Sequence, residues 1–189
     1  MRAKDVMFKY AQGERSFQGV NLYRADFEDA RLQNIDFKEA NLSRVNFRRC
    51  DLRGADLSHA NIMEADFSYA NLSGATLYKS YLIRTILRNS ILVNTNLQRT
   101  YLNRADFTSA NLEGADLGTS YIQGAIFKKA NYSPMQLFLT NLGEFSDKSI
   151  EKYINEQYTK FIRSGTILEP DSKFVNIWKR IAKEKNIKI

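Results

Sequence analysis

The chain has 189 residues, a formal net charge of +7, one cysteine and one histidine. A single cysteine excludes an internal disulfide framework, and no run of eighteen apolar residues predicts a transmembrane segment. Because no signal peptide is recognised either, we expect a soluble, cytoplasmic protein. The positive charge favours an acidic partner, either nucleic acid or protein.

The N-terminal residues predict one short helix. Residues 3–12 have helical character and are followed by Gly13, a typical helix stop. Val6, Met7 and Tyr10 are expected on one side of this helix. Because the open end of a β-coil exposes unpaired backbone groups, we expect residues 1–16 to form an N-terminal helical cap.

An apolar residue returns at every fifth position from Phe17 to Tyr132. All 24 of these positions hold Leu, Phe, Ile or Tyr, and from Val20 to Ala130 the residue two places earlier is small or of modest size. A period of five matches neither the 3.6 of a helix nor the 2 of a strand. Each five-residue unit is therefore predicted to be a short extended piece followed by a corner. Its central and small residues face inward, and the residue between them faces outward.

The clearest copies of the unit are ADLSH (55–59), ANIME (60–64), ADFSY (65–69), ANLSG (70–74) and ANLEG (110–114). These units carry a resemblance to the pentapeptide-repeat proteins, whose motif is Ala, Asp or Asn, Leu or Phe, then two variable residues. The opening segment KYAQGERSFQGVNL is similar to that of cyanobacterial members. The resemblance implies an all-β solenoid, a right-handed quadrilateral β-helix with four units, or about 20 residues, per turn. About six turns are expected over residues 17–133, and Leu137 and Leu142 keep the five-residue phase as far as 142.

Two features of the units predict packing and corners. Phenylalanines recur once per expected turn in one column, with Leu87 in the gap, so their rings are expected to stack from turn to turn. Glycines at the fifth place of five units suit a type II turn. Other units have Arg, Glu or Tyr at that place, so more than one type of corner is expected. The column phenylalanines are Phe27, Phe47, Phe67, Phe107 and Phe127, and the corner glycines are Gly19, Gly54, Gly74, Gly114 and Gly124.

The composition changes after Ser133. Residues 147–163 and about 172–185 each have helical spacing of apolar residues. We expect residues 143–189 to form a small C-terminal α-helical segment that docks on the last coil, because about 45 residues are too few for a secure core. The alternative is a basic amphipathic helix that contacts a membrane surface or a partner.

Catalysis finds little support in the sequence. His59 stands at an outward corner, and Cys50 stands at an inward place that suits an inert core residue. No Cys/His cluster has zinc-ligand spacing, and no phosphate-binding loop is recognised. We therefore expect a non-enzymatic protein with no cofactor and no metal.

The motif changes between residues 76 and 101. There the outward Asp or Asn place becomes Thr76, Tyr81, Ile86, Ile91, Asn96 and Tyr101, and the inward alanine place becomes Ser or Thr from Ser80 to Thr100. Exposed apolar clusters often mark interaction surfaces, so this segment is a candidate contact with a protein partner or a second copy. The alternative is simple stacking of β-branched and aromatic residues across turns. The candidate residues are Tyr81, Ile86, Ile91, Tyr101 and Tyr121.

A column of corner residues forms a second candidate. Arg24, Arg44, Arg84 and Arg104 share one edge with Glu64. Such an edge could contact phosphates or an acidic protein patch, or it could serve only as solubilising surface.

The sequence thus predicts a non-catalytic protein-interaction rod, a regulatory or scaffolding adaptor. The alternative is a basic nucleic-acid-binding or topoisomerase-interacting repeat protein. The resemblance includes gyrase-protecting, quinolone-resistance proteins, which imitate DNA with a strongly acidic rod. The net charge of this chain has the opposite sign, which disfavours DNA mimicry. Because the charge is spread as +4 over residues 1–133 and +3 over the remainder, direct nucleic-acid binding also ranks below a protein partner.

Overall fold

The computed structural model describes residues 1–132. The predicted helical segment 143–189 and the continuation of the coil from 133 to 142 lie outside the described residues. The first element is helix α1, Ala3–Ala11. At its start the Asp5 carboxylate accepts a hydrogen bond from the Arg2 backbone N–H at 3.0 Å, which is half of a capping box. At its end Gly13 has a φ of +97°.

Helix α1 packs one side against the coil. Val6 is fully buried, and Ala3 and Tyr10 pack on the same core. The Tyr10 hydroxyl donates a hydrogen bond to the Gln33 carbonyl at 2.9 Å. The expectation that Met7 shares this side is wrong, because its side chain is exposed. Ala3, Val6 and Tyr10 follow the helical period, whereas Met7 lies about 100° around the helix from Val6.

The coil is held together by parallel pairing between residues one turn apart. Twenty isolated bridges run from the pair Ser16 and Asp36 to the pair Asn111 and Asn131. Each unit extends over too few residues for a longer strand before the chain turns, so within residues 1–132 every bridge stands alone. Side chains follow the same interval, since Asn41 donates a hydrogen bond to Asn21 across a separation of 20 residues, as predicted for one turn.

Each side of the coil repeats the same hydrogen bonds. In one unit the Leu42 N–H donates to the Asn61 carbonyl at 2.7 Å, and the Arg44 N–H donates to the Met63 carbonyl at 2.9 Å. The corner is closed by the Val45 N–H, which donates to the Leu42 carbonyl at 3.2 Å. Bonds between turns therefore fix both the extended piece and the corner.

The corners are of one type, contrary to the expectation of several. All 23 corner places from 19 to 129 have φ between 54° and 72°, and 18 of them are not glycine. Positive φ at the third residue of a closed four-residue turn is the type II pattern. This conformation costs a non-glycine residue about 1 kcal/mol or more. Hydrogen bonds from corner N–H groups to the next turn, such as that of Arg44, offset this cost.

The inward residues form one apolar core. The central residues from Phe17 to Leu117 are all buried. In the predicted phenylalanine column, the Phe47 ring stacks on Phe67 with centroids 4.9 Å apart, and Phe27 stacks on Phe47 at 5.3 Å. Cys50 is also buried, and burial raises the pKa of its thiol to about 12. A thiol with such a pKa is protonated and unreactive at neutral pH.

The outward Asp and Asn residues have a structural role. The Asn71 Oδ1 accepts a hydrogen bond from the Ser73 backbone N–H at 3.0 Å, and Asp106 accepts one from Thr108 at 2.9 Å. Each such oxygen satisfies an N–H group that faces away from the neighbouring turn. The Asp or Asn side chain points outward, as predicted, and its hydrogen bond also stabilises the start of the corner.

The inward Ser and Thr residues near the middle of the coil are satisfied within the core. The Thr85 hydroxyl donates to the Ile62 carbonyl at 2.9 Å, and the Ser90 hydroxyl donates to the Leu87 carbonyl at 2.7 Å. Among the described residues no buried side-chain nitrogen or oxygen lacks a partner. These hydroxyls can therefore replace alanine without a large penalty.

Candidate functional site

Three tyrosines form a ladder on one side of the coil. Tyr81 bridges to Tyr101, and Tyr101 bridges to Tyr121. The ring centroids are 4.9 Å and 4.8 Å apart, and the planes are nearly parallel at 8° and 10°. Tyr81 and Tyr121 are 44% and 41% exposed, while Tyr101 is half-buried between them. The ladder is both an internal stack and an exposed surface.

The candidate isoleucines lie on two other sides. Ile86 and Ile126 are exposed and flank Asp106 in the column after the ladder. Ile91 is also exposed but pairs with asparagines above and below. Because one turn takes four units and Ile91 follows Tyr81 by two, Ile91 lies half a turn from the ladder. The structure therefore brings Ile86 next to the ladder and separates Ile91 from it.

These apolar residues remove a hydrogen-bond acceptor from their units. Where Asp or Asn stands, its oxygen accepts the N–H two residues later; within residues 1–132, the N–H groups of Ile83, Arg88 and Val93 have no side-chain acceptor. Each lost bond is worth about 0.5–1.5 kcal/mol. For the tyrosines, ring stacking worth about 0.5–1.5 kcal/mol per pair compensates this lost hydrogen bond. Ile86 has no such aromatic neighbour, so local stability does not account for it.

Asp106 lies between the two exposed isoleucines and is itself 8% exposed. Burial raises the pKa of its carboxyl, but hydrogen bonds from the Thr108 N–H and from Arg88 outweigh burial and hold the pKa below the ordinary value of an aspartate. The Arg88 Nε lies 2.6 Å from the Asp106 Oδ2. The carboxylate is therefore ionised and paired at neutral pH.

We expect Asp106→Asn to destabilise the coil at about pH 6 and to have a much smaller effect at about pH 2. A carboxyl whose folded pKa is depressed stabilises the fold above its unfolded pKa, and this contribution disappears as the pH falls through the folded value. Urea unfolding midpoints at the two pH values measure the difference. Asp116→Asn is the control, because Asp116 accepts from the Gly118 N–H but pairs with no cation within residues 1–132. If Asp106→Asn lowers the unfolding midpoint by the same amount at both pH values, the prediction is contradicted.

The arginine column is divided by its one carboxylate. The Arg44 Nε lies 2.8 Å from the Glu64 Oε2, and the Arg84 Nη1 lies 3.8 Å from the Glu64 Oε1. The Arg24 guanidinium lies 5.2 Å from the centroid of the adjacent Tyr23 ring. Arg104 makes no ion pair within residues 1–132. The four predicted arginines therefore share an edge but do not form a uniform positive cluster.

Two cations beside the tyrosine ladder were not among the predicted site residues. Lys79 and Arg99 stand at the corner that precedes the ladder, two residues before Tyr81 and Tyr101. Their column also contains His59, and in the sequence it has the character of solvated surface. The signal that could have found them is their spacing of one turn, which is also that of the ladder.

The single histidine of the chain does not belong to a metal-binding cluster within residues 1–132. His59 is exposed, and its ring meets the Tyr78 ring edge-on with centroids 5.9 Å apart. No group of three His, Cys, Asp or Glu side chains in residues 1–132 is arranged to hold a metal ion. Over the same residues, no helix is long and apolar enough to cross a membrane.

The repeated units of the coil match a known family. The family model for pentapeptide repeats matches in eight copies, over residues 16–44, 40–77, 80–118 and 100–131. These ranges cover more than half of the chain. The chain belongs to the pentapeptide-repeat family. As a pentapeptide-repeat protein, it forms a right-handed quadrilateral β-helix solenoid.

Several solved pentapeptide-repeat structures are similar to this chain. A protein of the Arabidopsis thaliana thylakoid lumen is 35% identical over 51% of this chain and 63% of its own, with a TM-score of 0.39. Rfr23 from the cyanobacterium Cyanothece 51142 is 22% identical over 69% of this chain and all of its own, with a TM-score of 0.41. QnrB1, a plasmid-mediated fluoroquinolone resistance protein, is 18% identical over 66% and 87%, with a TM-score of 0.30. The chain therefore spans less than two thirds of the Arabidopsis protein. A search of curated proteins found no match.

Proposed function

We propose that this pentapeptide-repeat protein is a non-catalytic rod of about six turns that binds a protein partner through its outer surface. The observation that carries the proposal is the exposed ladder of Tyr81, Tyr101 and Tyr121 beside Ile86. Tyrosines are frequent anchors in protein interfaces. A regulatory or scaffolding adaptor is the role that such a surface suits.

The contact surface consists of the ladder and the next column. Ile86 and Ile126 follow Tyr81 and Tyr121 by one unit each, so all four are within reach of one partner across the intervening corner. Their exposure places several large apolar side chains together on a rod whose other outward places are mostly polar. Ile91 lies half a turn away and does not belong to this contact.

Nucleic-acid binding is the second candidate, and the arginine column favours it. Arg24 and Arg104 make no ion pair within residues 1–132 and are free to contact phosphates. Glu64 opposes this role, because it pairs with Arg44 and Arg84. A topoisomerase-interacting role that imitates DNA is opposed by the net charge of +7. These alternatives therefore rank below a protein partner.

Other parts of the interpretation stay predictions. A homodimer contact through the same surface is an alternative to a different protein partner. Capping of the coil by residues 1–16 and by residues 143–189 is likewise proposed, with the coil itself assigned to 17–133. A cytoplasmic location is proposed on the sequence alone.

The test is a quantitative pull-down from lysate of the source organism. The bait variants are Tyr81→Ser/Ile86→Ser/Tyr101→Ser and, as control, Tyr23→Ser/Tyr69→Ser, which changes exposed tyrosines elsewhere. We expect a protein to be retained by the wild type and the control and lost by the triple variant. Circular dichroism melting verifies that each bait is folded.

Two results contradict this proposal. If the triple variant retains the partner protein as well as the wild type does, the ladder serves only to stack the turns on one another. Recovery of nucleic acid alone, only at low salt and dependent on Arg24 and Arg104, transfers the function to the arginine column.

A further inference from the structure

The tyrosine ladder lies between two columns of cations. We call residues 79–84, 99–104 and 119–124 the basic tyrosine face; the three segments read KSYLIR, RTYLNR and TSYIQG. Lys79 and Arg99 stand at the corner before the ladder, and Arg84 and Arg104 stand at the corner after it. None of the three segments contains an acidic residue. The same side of the earlier turns carries Glu39 and Glu64 and has asparagine in place of tyrosine.

Within residues 1–132 most cations of this face have no carboxylate partner, whereas several cations of the earlier turns are held in close ion pairs. In the earlier turns Arg49 lies 2.6 Å from Asp29, and Arg53 lies 2.7 Å from Asp51. On the basic tyrosine face, the one ion pair within residues 1–132 is the 3.8 Å contact of Arg84 with Glu64. The other three cations have no carboxylate partner in that range, and the two arginines among them are exposed. They are therefore available to an external anion.

The tyrosine geometry selects the kind of anion. The rings stack on one another with centroids 4.9 Å and 4.8 Å apart, so both faces of the Tyr101 ring are covered by protein. Single-stranded nucleic acids bind mainly by stacking bases on open aromatic faces, which this ladder restricts. On Tyr101 the exposed parts are the ring edge and the hydroxyl, and the hydroxyls of all three tyrosines make no hydrogen bond within residues 1–132. Edges and hydroxyls suit a polypeptide that carries apolar side chains and carboxylates.

We infer that the basic tyrosine face binds an acidic polypeptide segment of a partner protein, an inference that rests on the proposed protein-binding function. Charge complementarity identifies the occupant as external. Residues 133–189 contain ten basic and seven acidic residues, so this segment has the same sign as the face. A second copy of the chain, with a net charge of +7, is also of the same sign.

The recognition works through several weak contacts together. Cations in successive turns are about 4.8 Å apart along each column, so carboxylates on one extended segment that follows the column can pair with Lys79 and Arg99 at once. Each exposed ion pair contributes little by itself, but a row of one sign steers association and suppresses basic partners. The tyrosine edges bury the apolar residues between the carboxylates.

The test measures fluorescence anisotropy of a labelled peptide made of Glu-Leu-Glu-Ser repeats, added to the full chain. Matched probes are a Lys-Leu-Lys-Ser peptide and an oligothymidylate of the same charge as the acidic peptide. The protein variant is Arg99→Gln/Arg104→Gln. Its control is Lys4→Gln/Arg31→Gln, which removes the same charge from two exposed cations outside the face that make no ion pair within residues 1–132.

We expect the acidic peptide to bind the wild type and the control equally, and the face variant about fivefold or more weakly. Binding should weaken between about 50 mM and about 300 mM salt. The inference is overturned if the wild type does not bind the acidic peptide, if the control weakens as much as the face variant, or if the oligothymidylate binds as tightly.

The pull-down separates this inference from the proposed function. A partner that depends on Tyr81, Ile86 and Tyr101 but is unaffected by Arg99→Gln/Arg104→Gln supports protein binding and overturns the acidic preference. A lysate in which no protein depends on the tyrosines overturns the proposed function, whatever the peptide does.

Discussion

Replacing Phe67 by alanine is expected to lower the free energy of unfolding by about 3–5 kcal/mol. Phe67 is fully buried, and its ring stacks on Phe47 with centroids 4.9 Å apart. Leu87 occupies the same place one turn later. Because the backbone between turns is tied by hydrogen bonds on every side, the coil cannot collapse into the cavity. Chemical denaturation of the wild type and the variant measures the loss.

The matched control is Tyr69→Ala, two residues further along the same unit. Tyr69 is 57% exposed and stands at a corner, so its loss should change the free energy of unfolding by less than about 0.5 kcal/mol. A loss below about 1 kcal/mol for Phe67→Ala would show that the phenylalanine column is not packed in solution as it is in the structure.

The core could be predicted from the sequence because the repeat is strict. The family resemblance implies four units per turn, and phenylalanine recurs at that spacing, so Phe47 is predicted to lie over Phe27 and Phe67 over Phe47. Burial of an inward column depends only on this register. The prediction therefore needed no knowledge of any individual contact.

The corners could not be predicted from residue identity alone. Glycine marks positive φ where it occurs, as at Gly54, but arginine at the equivalent place of other units suggested a different turn. In the structure the turns above and below impose the same backbone on Arg44 as on Gly54. Hydrogen bonds between turns override the local preference, and a local rule cannot foresee them.

The candidate site was predicted in part for a similar reason. The ladder of Tyr81, Tyr101 and Tyr121 follows from spacing, whereas the pairing of charges depends on which side chains meet in three dimensions. Glu64 divides the arginine column by pairing with two of its members. In its own column of corner residues, Arg99 has the character of solvated surface. Its position beside the tyrosine ladder is recognised only when the neighbouring column is compared with it.

Removing one complete turn, residues 56–75, is expected to leave a folded coil, whereas removing residues 56–76 should disrupt it. The first deletion joins Ala55 to Thr76 and keeps every later residue in phase, so Phe37 lies over Leu77. In a repeat architecture, stability is about the sum of unit and interface contributions. Loss of one turn should cost about 1–3 kcal/mol at the usual stability per residue.

The second deletion removes one further residue and joins Ala55 to Leu77. Leu77 then takes an outward place and Tyr78 an inward one, and every later residue is out of phase with the turn beneath it. About a dozen hydrogen bonds between two adjacent turns, each worth about 1 kcal/mol, cannot form together with the core contacts. We expect the free energy of unfolding to fall by more than about 5 kcal/mol. In thermal melts followed by circular dichroism, the single cooperative unfolding transition should then no longer be observed. Because the two deletions differ by one residue, equal melting temperatures would contradict a coil whose register is set by four whole units per turn.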